Sequence, residues 1–238
     1  TRLINSGDIT QITFHPTNPD IIYVYDDYYW SNFQNYIYRS LDGGLSYNVT
    51  NEITANNNSS AFLSVSEDCP NCLYFASTEG VWKSIDEGDN FTFLSNPPQT
   101  CLGFAVNDQD TSQMIYGYVD IEASDDGGKT FEQITFWSLG NGAHGGGNFN
   151  QNFNNSPSYV HADLHPAICV NGVYYIGTDG FFCKSADNGT SWEILNQGTA
   201  IRENYKLGAS QSNHYTTISG SQDNGTSIKK KGEWIEFY

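Results

Sequence analysis

The 238-residue sequence predicts an all-β fold of repeated four-stranded units, and three observations carry that prediction. A turn-forming octet, Ser185-Ala186-Asp187-Asn188-Gly189-Thr190-Ser191-Trp192, has near-copies at Ser40 to Tyr47 and Ser124 to Phe131, and a further copy at Ser84 to Phe91 with Asn90 in the hydroxyl position. Each copy follows a short run of apolar and aromatic residues. The composition is rich in Tyr, Phe, Gly, Asn, Ser and Thr and poor in Lys, Arg and Met, which favours strands joined by tight turns, and no stretch reads as an amphipathic helix.

The octet reads as a hairpin tip. Asp and Asn tolerate positive φ and bond their own backbone, glycine accepts positive φ without cost, and the closing aromatic opens the next strand with a large apolar anchor. Ser40, Asp42 and Gly44 fill the defining positions, as do Ser84, Asp86 and Gly88, Ser124, Asp126 and Gly128, and Ser185, Asp187 and Gly189. Because these aspartates recur at every hairpin, they are assigned to turn stabilisation and not to catalysis or metal binding.

Taken in order, the first repeat spans about residues 9–50: Gln11 to Phe14, a turn after His15-Pro16, Ile21 to Tyr25, an aromatic insertion, then Tyr36 to Arg39 into the first octet. The second, about 61–96, repeats this with Phe62 to Val65, Leu73 to Phe75, Val81 to Lys83 and Phe91 to Leu94. The third, about 101–136, uses Leu102 to Val106, Met114 to Val119, Ile121 to Ala123 and Phe131 to Ile134. A Gly- and Asn-rich insertion at 137–158 then interrupts the pattern; a loop of that length is either functional or disordered. The fourth repeat, about 159–197, is the best formed, with a first strand expected from His161, then Val173 to Gly177, Phe181 to Lys184 and Trp192 to Leu195. The fifth, about 205–238, admits two registers; the preferred one places a degenerate octet at Lys230 to Trp234, keeping Trp234 as anchor, over one at Ser221-x-Asp223-x-Gly225. A spacing of about 40 to 50 residues is that of four-stranded propeller blades. Since a ring must close to protect its edges, five repeats predict a segment of a larger ring in a longer parent protein, with a five-bladed ring closed by residues 1–8 as the weaker reading.

The net charge of −17 and pI near 4.3 argue against a nucleic-acid partner. The run Lys229-Lys230-Lys231 reads as a solvated hairpin turn. No apolar run approaches the roughly 20 residues that cross a bilayer, and no signal peptide is recognisable. The opening at Thr1 suits a processed or excised piece. Five cysteines allow at most two pairs; Cys69-Pro70-Asn71-Cys72, placed where other repeats turn, reads as a loop-closing disulfide, and Cys183 as a buried free thiol.

His161-x-Asp163-x-His165 is the strongest candidate for chemistry. Alternate residues of a strand share a face, so the three side chains would converge on one substrate group or one divalent metal, the only cofactor the sequence suggests. The competing reading is a hydrogen-bonded channel lining, with His165-Pro166 aligned to His15-Pro16, where Gln11 and Thr13 replace the other members. Asp179 in Gly177-Thr178-Asp179-Gly180 pairs with Asp163 as the two carboxylates that glycoside hydrolysis needs, although Thr78-Glu79-Gly80 at the matching place of the second repeat also fits a turn former. Tyr28, Tyr29, Trp30, Phe33 and Trp137 lie in insertions, where aromatics serve either to stack a carbohydrate or protein partner or to cover a neighbouring blade. The sequons at Asn48, Asn90 and Asn188 carry little weight in so Asn-rich a chain.

The octet resembles the Asp-box, or BNR, repeat of sialidases, xyloglucan-cleaving glycoside hydrolases, sortilin-type receptor domains and secreted bacterial proteins. A sialidase would require an arginine cluster, whereas this chain holds Arg2, Arg39 and Arg202, and Arg39 precedes its octet as Lys83 and Lys184 do theirs, which reads as structural. His161-Ala162-Asp163-x-His165, Gly177-Thr178-Asp179-Gly180 and Gln222-Asp223-Asn224-Gly225 together are similar to BNR-repeat proteins exported by Bacteroidetes-type bacteria, many with the C-terminal sorting domain of type IX secretion. That resemblance implies an extracellular or cell-surface protein, outer-membrane associated. It favours a binding or scaffold module whose loops meet a glycan, a protein or other domains of the same longer chain. A glycoside hydrolase using Asp163 and Asp179 and a sortilin-like receptor are the alternatives, and fold analogy does not separate the three.

Overall fold

The computed structural model describes residues 8–27, 34–54, 60–96, 99–137, 159–195, 204–213, 215–221 and 225–237. Trp30, its aromatic neighbours Tyr28, Tyr29 and Phe33, the insertion beyond Trp137, and Gln222 to Asn224 lie outside them.

The described residues form five four-stranded antiparallel sheets, each a simple meander, the architecture of a β-propeller segment. Blade 1 holds β1 (Asp8–Phe14), β2 (Ile22–Asp27), β3 (Gln34–Ser40) and β4 (Asn48–Thr54). Blade 2 holds β5 (Ala61–Ser66), β6 (Cys69–Ser77), β7 (Gly80–Ser84) and β8 (Thr92–Ser95). Blade 3 follows with β9 (Gly103–Val106), β10 (Met114–Gly117), β11 (Ile121–Ser124) and β12 (Glu132–Gln133), and blade 4 with β13 (Leu164–Val170), β14 (Val173–Thr178), β15 (Phe182–Ser185) and β16 (Glu193–Ile194). Blade 5 comprises β17 (Asn204–Ala209), β18 (Thr217–Ser221), β19 (Thr226–Lys230) and β20 (Glu233–Phe237).

The second strands of blades 1 to 3 each carry a buried apolar run, Ile22 to Tyr25, Cys72 to Ala76 and Met114 to Tyr116, because side chains of these strands lie between packed sheets. Three apolar clusters result, one at each junction: Tyr23, Tyr25 and Ile37 against Leu63, Leu73 and Phe75; Tyr74 and Val81 against Phe104, Met114 and Tyr116; Ile115 and Ile121 against Ala167, Tyr174 and Ile176. None of these clusters includes a described residue of blade 5. Polar ties reinforce the junctions: the Gln11 side-chain amide bonds both the N–H and the carbonyl of Leu63, and the N–H of Val106 donates to Ser64 Oγ at 2.9 Å.

The four octets share one hydrogen-bond scheme. Each serine Oγ donates to the aspartate two residues on and accepts the glycine N–H four residues on, at 2.7–2.9 Å throughout. Each aspartate then accepts both the N–H and the side chain of the residue four positions later: Ser46, Asn90, Thr130 and Ser191. Asn90 does with its amide what the other three do with a hydroxyl.

The cysteines follow the expected pairing, while the place of the disulfide and the fifth blade's turn differ from expectation. Cys69 and Cys72 form a disulfide, but they open β6 beside a register shift instead of lying in a turn. Cys183 is a buried free thiol, as are Cys101 and, in part, Cys169. In blade 5 the degenerate octet is a two-residue turn, Lys231-Gly232, with positive φ at both positions, and Trp234 is an exposed residue under the Lys229 ammonium, not a buried anchor.

Candidate functional site

The first strand of blade 4 starts at Leu164, three residues later than expected. Asp163 carries φ +60°, in the left-handed region, so the chain turns there and the strand alternation assumed for His161, Asp163 and His165 does not apply. Leu164 is fixed by its N–H donating to the Tyr118 carbonyl of blade 3 at 2.7 Å. It packs so closely over Gly103 and Gly117 that a Cβ at either position would collide with it.

Next comes a bulge. Leu164 pairs with Thr178 and Ala167 with Ile176, so His165 and Pro166 together occupy the space of one residue. Proline suits the position because it has no N–H to leave unpaired. The bulge sends His165 to the β14–β15 turn, where its Nε2 lies 2.6 Å from Asp179 Oδ1. His165 is half exposed and Asp179 more sheltered. His15, by contrast, follows β1 and caps the next turn, its Nδ1 accepting the N–H groups of Thr17 and Asn18 at 3.2 and 3.1 Å. The His-Pro alignment between the two repeats is therefore one of sequence and not of place.

His161 turns inward. Its Nδ1 lies 3.1 Å from the Ala162 carbonyl, its ring meets Phe181 edge-on, and it lies directly on Gly180. The structure thus brings His165 and Asp179 together but not His161, Asp163 and His165 as a ligand set; among the described residues no group of three or more His, Cys, Asp or Glu side chains is placed to hold a metal ion.

Blade 3 supplies the rest of this end. Asp120, two residues beyond the carbonyl that holds Leu164, accepts the Trp137 N–H at 2.7 Å and hydrogen bonds from Gln133 and Thr135. Trp137 is thereby tied to the same end of the sheets as His165. Burial pushes Asp120 above the ordinary carboxylate value. Glu122 beside it is only 7% exposed, and its Oε2 makes no hydrogen bond. Burial first, and then the charge of Asp120, push its carboxyl up to about 7. Sequence reasoning passed over this pair. The signal was present: Tyr38, Trp82, Glu122 and Cys183 all stand two residues before an octet serine, and only one of them is charged.

No family model matches the chain, and no curated protein matches it in sequence. Solved structures do. An ancestral GH74 enzyme superposes with a TM-score of 0.56 at 14% identity over 97% of this chain and 31% of its own. The GH74 xyloglucanase from Xanthomonas campestris gives 0.55 at 13% over 97% and 38%. YCF48 bound to D1 peptide gives 0.54 at 11% over 100% and 69%. The chain spans about a third of the length of the GH74 enzymes it resembles. At such identities the likeness is one of fold, shared by enzymes and by a peptide-binding protein alike.

Proposed function

We propose that this chain is a binding segment of an exported or cell-surface β-propeller, engaging a glycan or protein at the end that carries His165, Asp179 and Trp137. The observation that carries the reading is the 2.6 Å contact between His165 and Asp179. Glycoside hydrolysis needs two carboxyl groups facing each other across the scissile bond, roughly 5 to 9.5 Å apart. Here Asp179 is committed to an imidazole, and Asp163 sits in a left-handed turn outside the strand that was to present it. A half-exposed imidazole held by a carboxylate, with Trp137 tied through its backbone N–H to the same end, offers instead a polar contact beside an aromatic residue, a combination suited to sugar hydroxyls or peptide groups.

The test is incubation of the chain with a panel of plant, algal and bacterial polysaccharides, scoring retention and new reducing ends in the same tubes. Retention without cleavage, weakened in His165→Ala and Asp179→Asn, is expected for glycan binding. New reducing ends that vanish in Asp179→Asn would make the chain a glycoside hydrolase. Neither signal would direct the search to protein partners.

A further inference from the structure

Glu122 lies between Tyr116 of β10 and Gln133 of β12, its direct partners in the two strand pairings, so the three side chains share one face of blade 3. Tyr116 places that face against blade 2, in the cluster with Tyr74 and Val81. Tyr116 directs its hydroxyl to the carbonyls of Ser77 and Gln99, at 3.2 and 2.8 Å, and burial pushes its phenol up. Burial likewise pushes up the Cys101 thiol of the same cluster, and Lys83 of blade 2 lies over the Tyr74 ring. The charge that acts on Glu122 is that of Asp120.

Gln133 is the neighbour that can answer it. Its Nε2 donates to Asp120 Oδ2 at 3.1 Å and to the Thr135 carbonyl at 2.9 Å. Asp120 Oδ1 in turn accepts the Trp137 N–H at 2.7 Å and the Thr135 hydroxyl at 3.3 Å. One side-chain amide thus clamps the segment running from β12 to Trp137, and it stands directly across from a buried carboxyl whose Oε2 makes no hydrogen bond.

We infer that Glu122 is a positioning residue whose protonation governs the grip on Trp137, and through it ligand binding at the end that carries His165 and Asp179. With Glu122 protonated, the Gln133 amide stays on Asp120 and Thr135. Once Glu122 ionises, a buried charge beside a second carboxylate requires a donor; the amide across the strand pair turns to it, leaves Asp120 and Thr135, and loosens Trp137. The folded value of about 7, above the ordinary 4.5, puts this change near neutrality, with the held state on the acid side. The consequence for ligand binding rests on the proposed function, whereas the switch itself does not.

Proton–nitrogen NMR spectra of the full chain from pH 5 to 9 test it, with the Trp137 indole signal identified by its loss in Trp137→Phe. In the wild type that signal should move along one titration curve centred near neutrality. It should stay at its low-pH position in Glu122→Gln, and Gln133→Met should make it insensitive to pH. His165→Ala should keep the wild-type curve, which separates the switch from histidine titration in the same range. A flat wild-type signal, a curve that survives in Glu122→Gln or Gln133→Met, or one that vanishes in His165→Ala would overturn the inference. Retention on the polysaccharide panel should be several-fold weaker at pH 8 than at pH 6 in the wild type and equal at both in Glu122→Gln; equal wild-type retention beside a moving indole signal would overturn the link to binding. A panel never retained at either pH would sink the glycan reading of the site, while the indole curve alone supports or overturns the switch.

Discussion

Arg39 of blade 1 reaches across to the octet of blade 2, placing Nη2 2.9 Å from Asp89 Oδ1 while Nη1 donates to the Glu87 carbonyl at 2.8 Å. The equivalent cations behave differently. Lys83 lies over the Tyr74 ring of its own blade, and Lys184 pairs with Glu193 of its own blade. Arg39 therefore ties two blades together where the other two do not. The exposed ion pair contributes little in water, but the charged bond to a carbonyl and the sheltered side chain contribute more. Arg39→Met should lower stability by about 1–2 kcal/mol, read as a shift in the urea midpoint, and Lys184→Met should change it much less.

Asp126 accepts the N–H and hydroxyl of Thr130, and these bonds hold its carboxyl down at about 2 against an ordinary 3.8. Asp42 and Asp86 are held down to about 2 in the same way, while at Asp187 burial opposes the shift and the bonds from Ser191 outweigh it. A carboxylate depressed in the folded state contributes stability that is present above its unfolded value and is lost as pH falls through the folded one. Asp126→Asn should melt below the wild type at pH 7, and the gap should narrow as the pH is lowered from 3.8 towards 2. A gap that persists unchanged at pH 2 would place the role of Asp126 elsewhere than in its charge.

Glu122 has the opposite sign. Its folded value of about 7 stands above the ordinary 4.5, so between those values the folded state holds a proton that the unfolded chain has released, and stability falls as pH rises through that window. Glu122→Gln keeps the shape and removes the charge. It should stabilise the protein by roughly 1–2 kcal/mol at pH 8, with the advantage disappearing below about pH 4.5. Thermal melts of both proteins at pH 4, 6 and 8 measure it.

The blades were legible in the sequence because their information is local and repeated: Ser40, Asp42 and Gly44 state a hairpin by themselves, and the apolar run before them states the strand that leads into it. The candidate site was legible only in its membership. His165 and Asp179 were both singled out, yet their contact depends on the bulge at His165-Pro166 and on the left-handed Asp163, and both follow from how Leu164 packs on Gly103 and Gly117 of the neighbouring blade. A strand was expected from His161 because alternation is the default for an apolar-polar run; the tertiary contact overrode it. Glu122 was missed for a related reason, since its burial comes from a junction between blades that no single repeat contains.

Gly180 shows how tightly that turn is held. The turn is closed by Thr178, whose Oγ1 donates to the Phe181 carbonyl at 2.8 Å and accepts the Phe181 N–H at 3.0 Å, so the backbone has little room to shift. The His161 ring rests where a Cβ of residue 180 would stand. Gly180→Ala therefore has to displace the ring, which also meets Phe181 edge-on. The expected cost is about 1–3 kcal/mol, together with displacement of the 2.6 Å contact between His165 and Asp179 one residue away. Histidine ring resonances in two-dimensional NMR spectra separate the two effects. If His161 and His165 both shift while the blade 1 and 2 amides stay in place, the turn is what positions the site; if stability falls with the histidine signals unmoved, the strain has been absorbed elsewhere and His165 owes its place to the bulge alone.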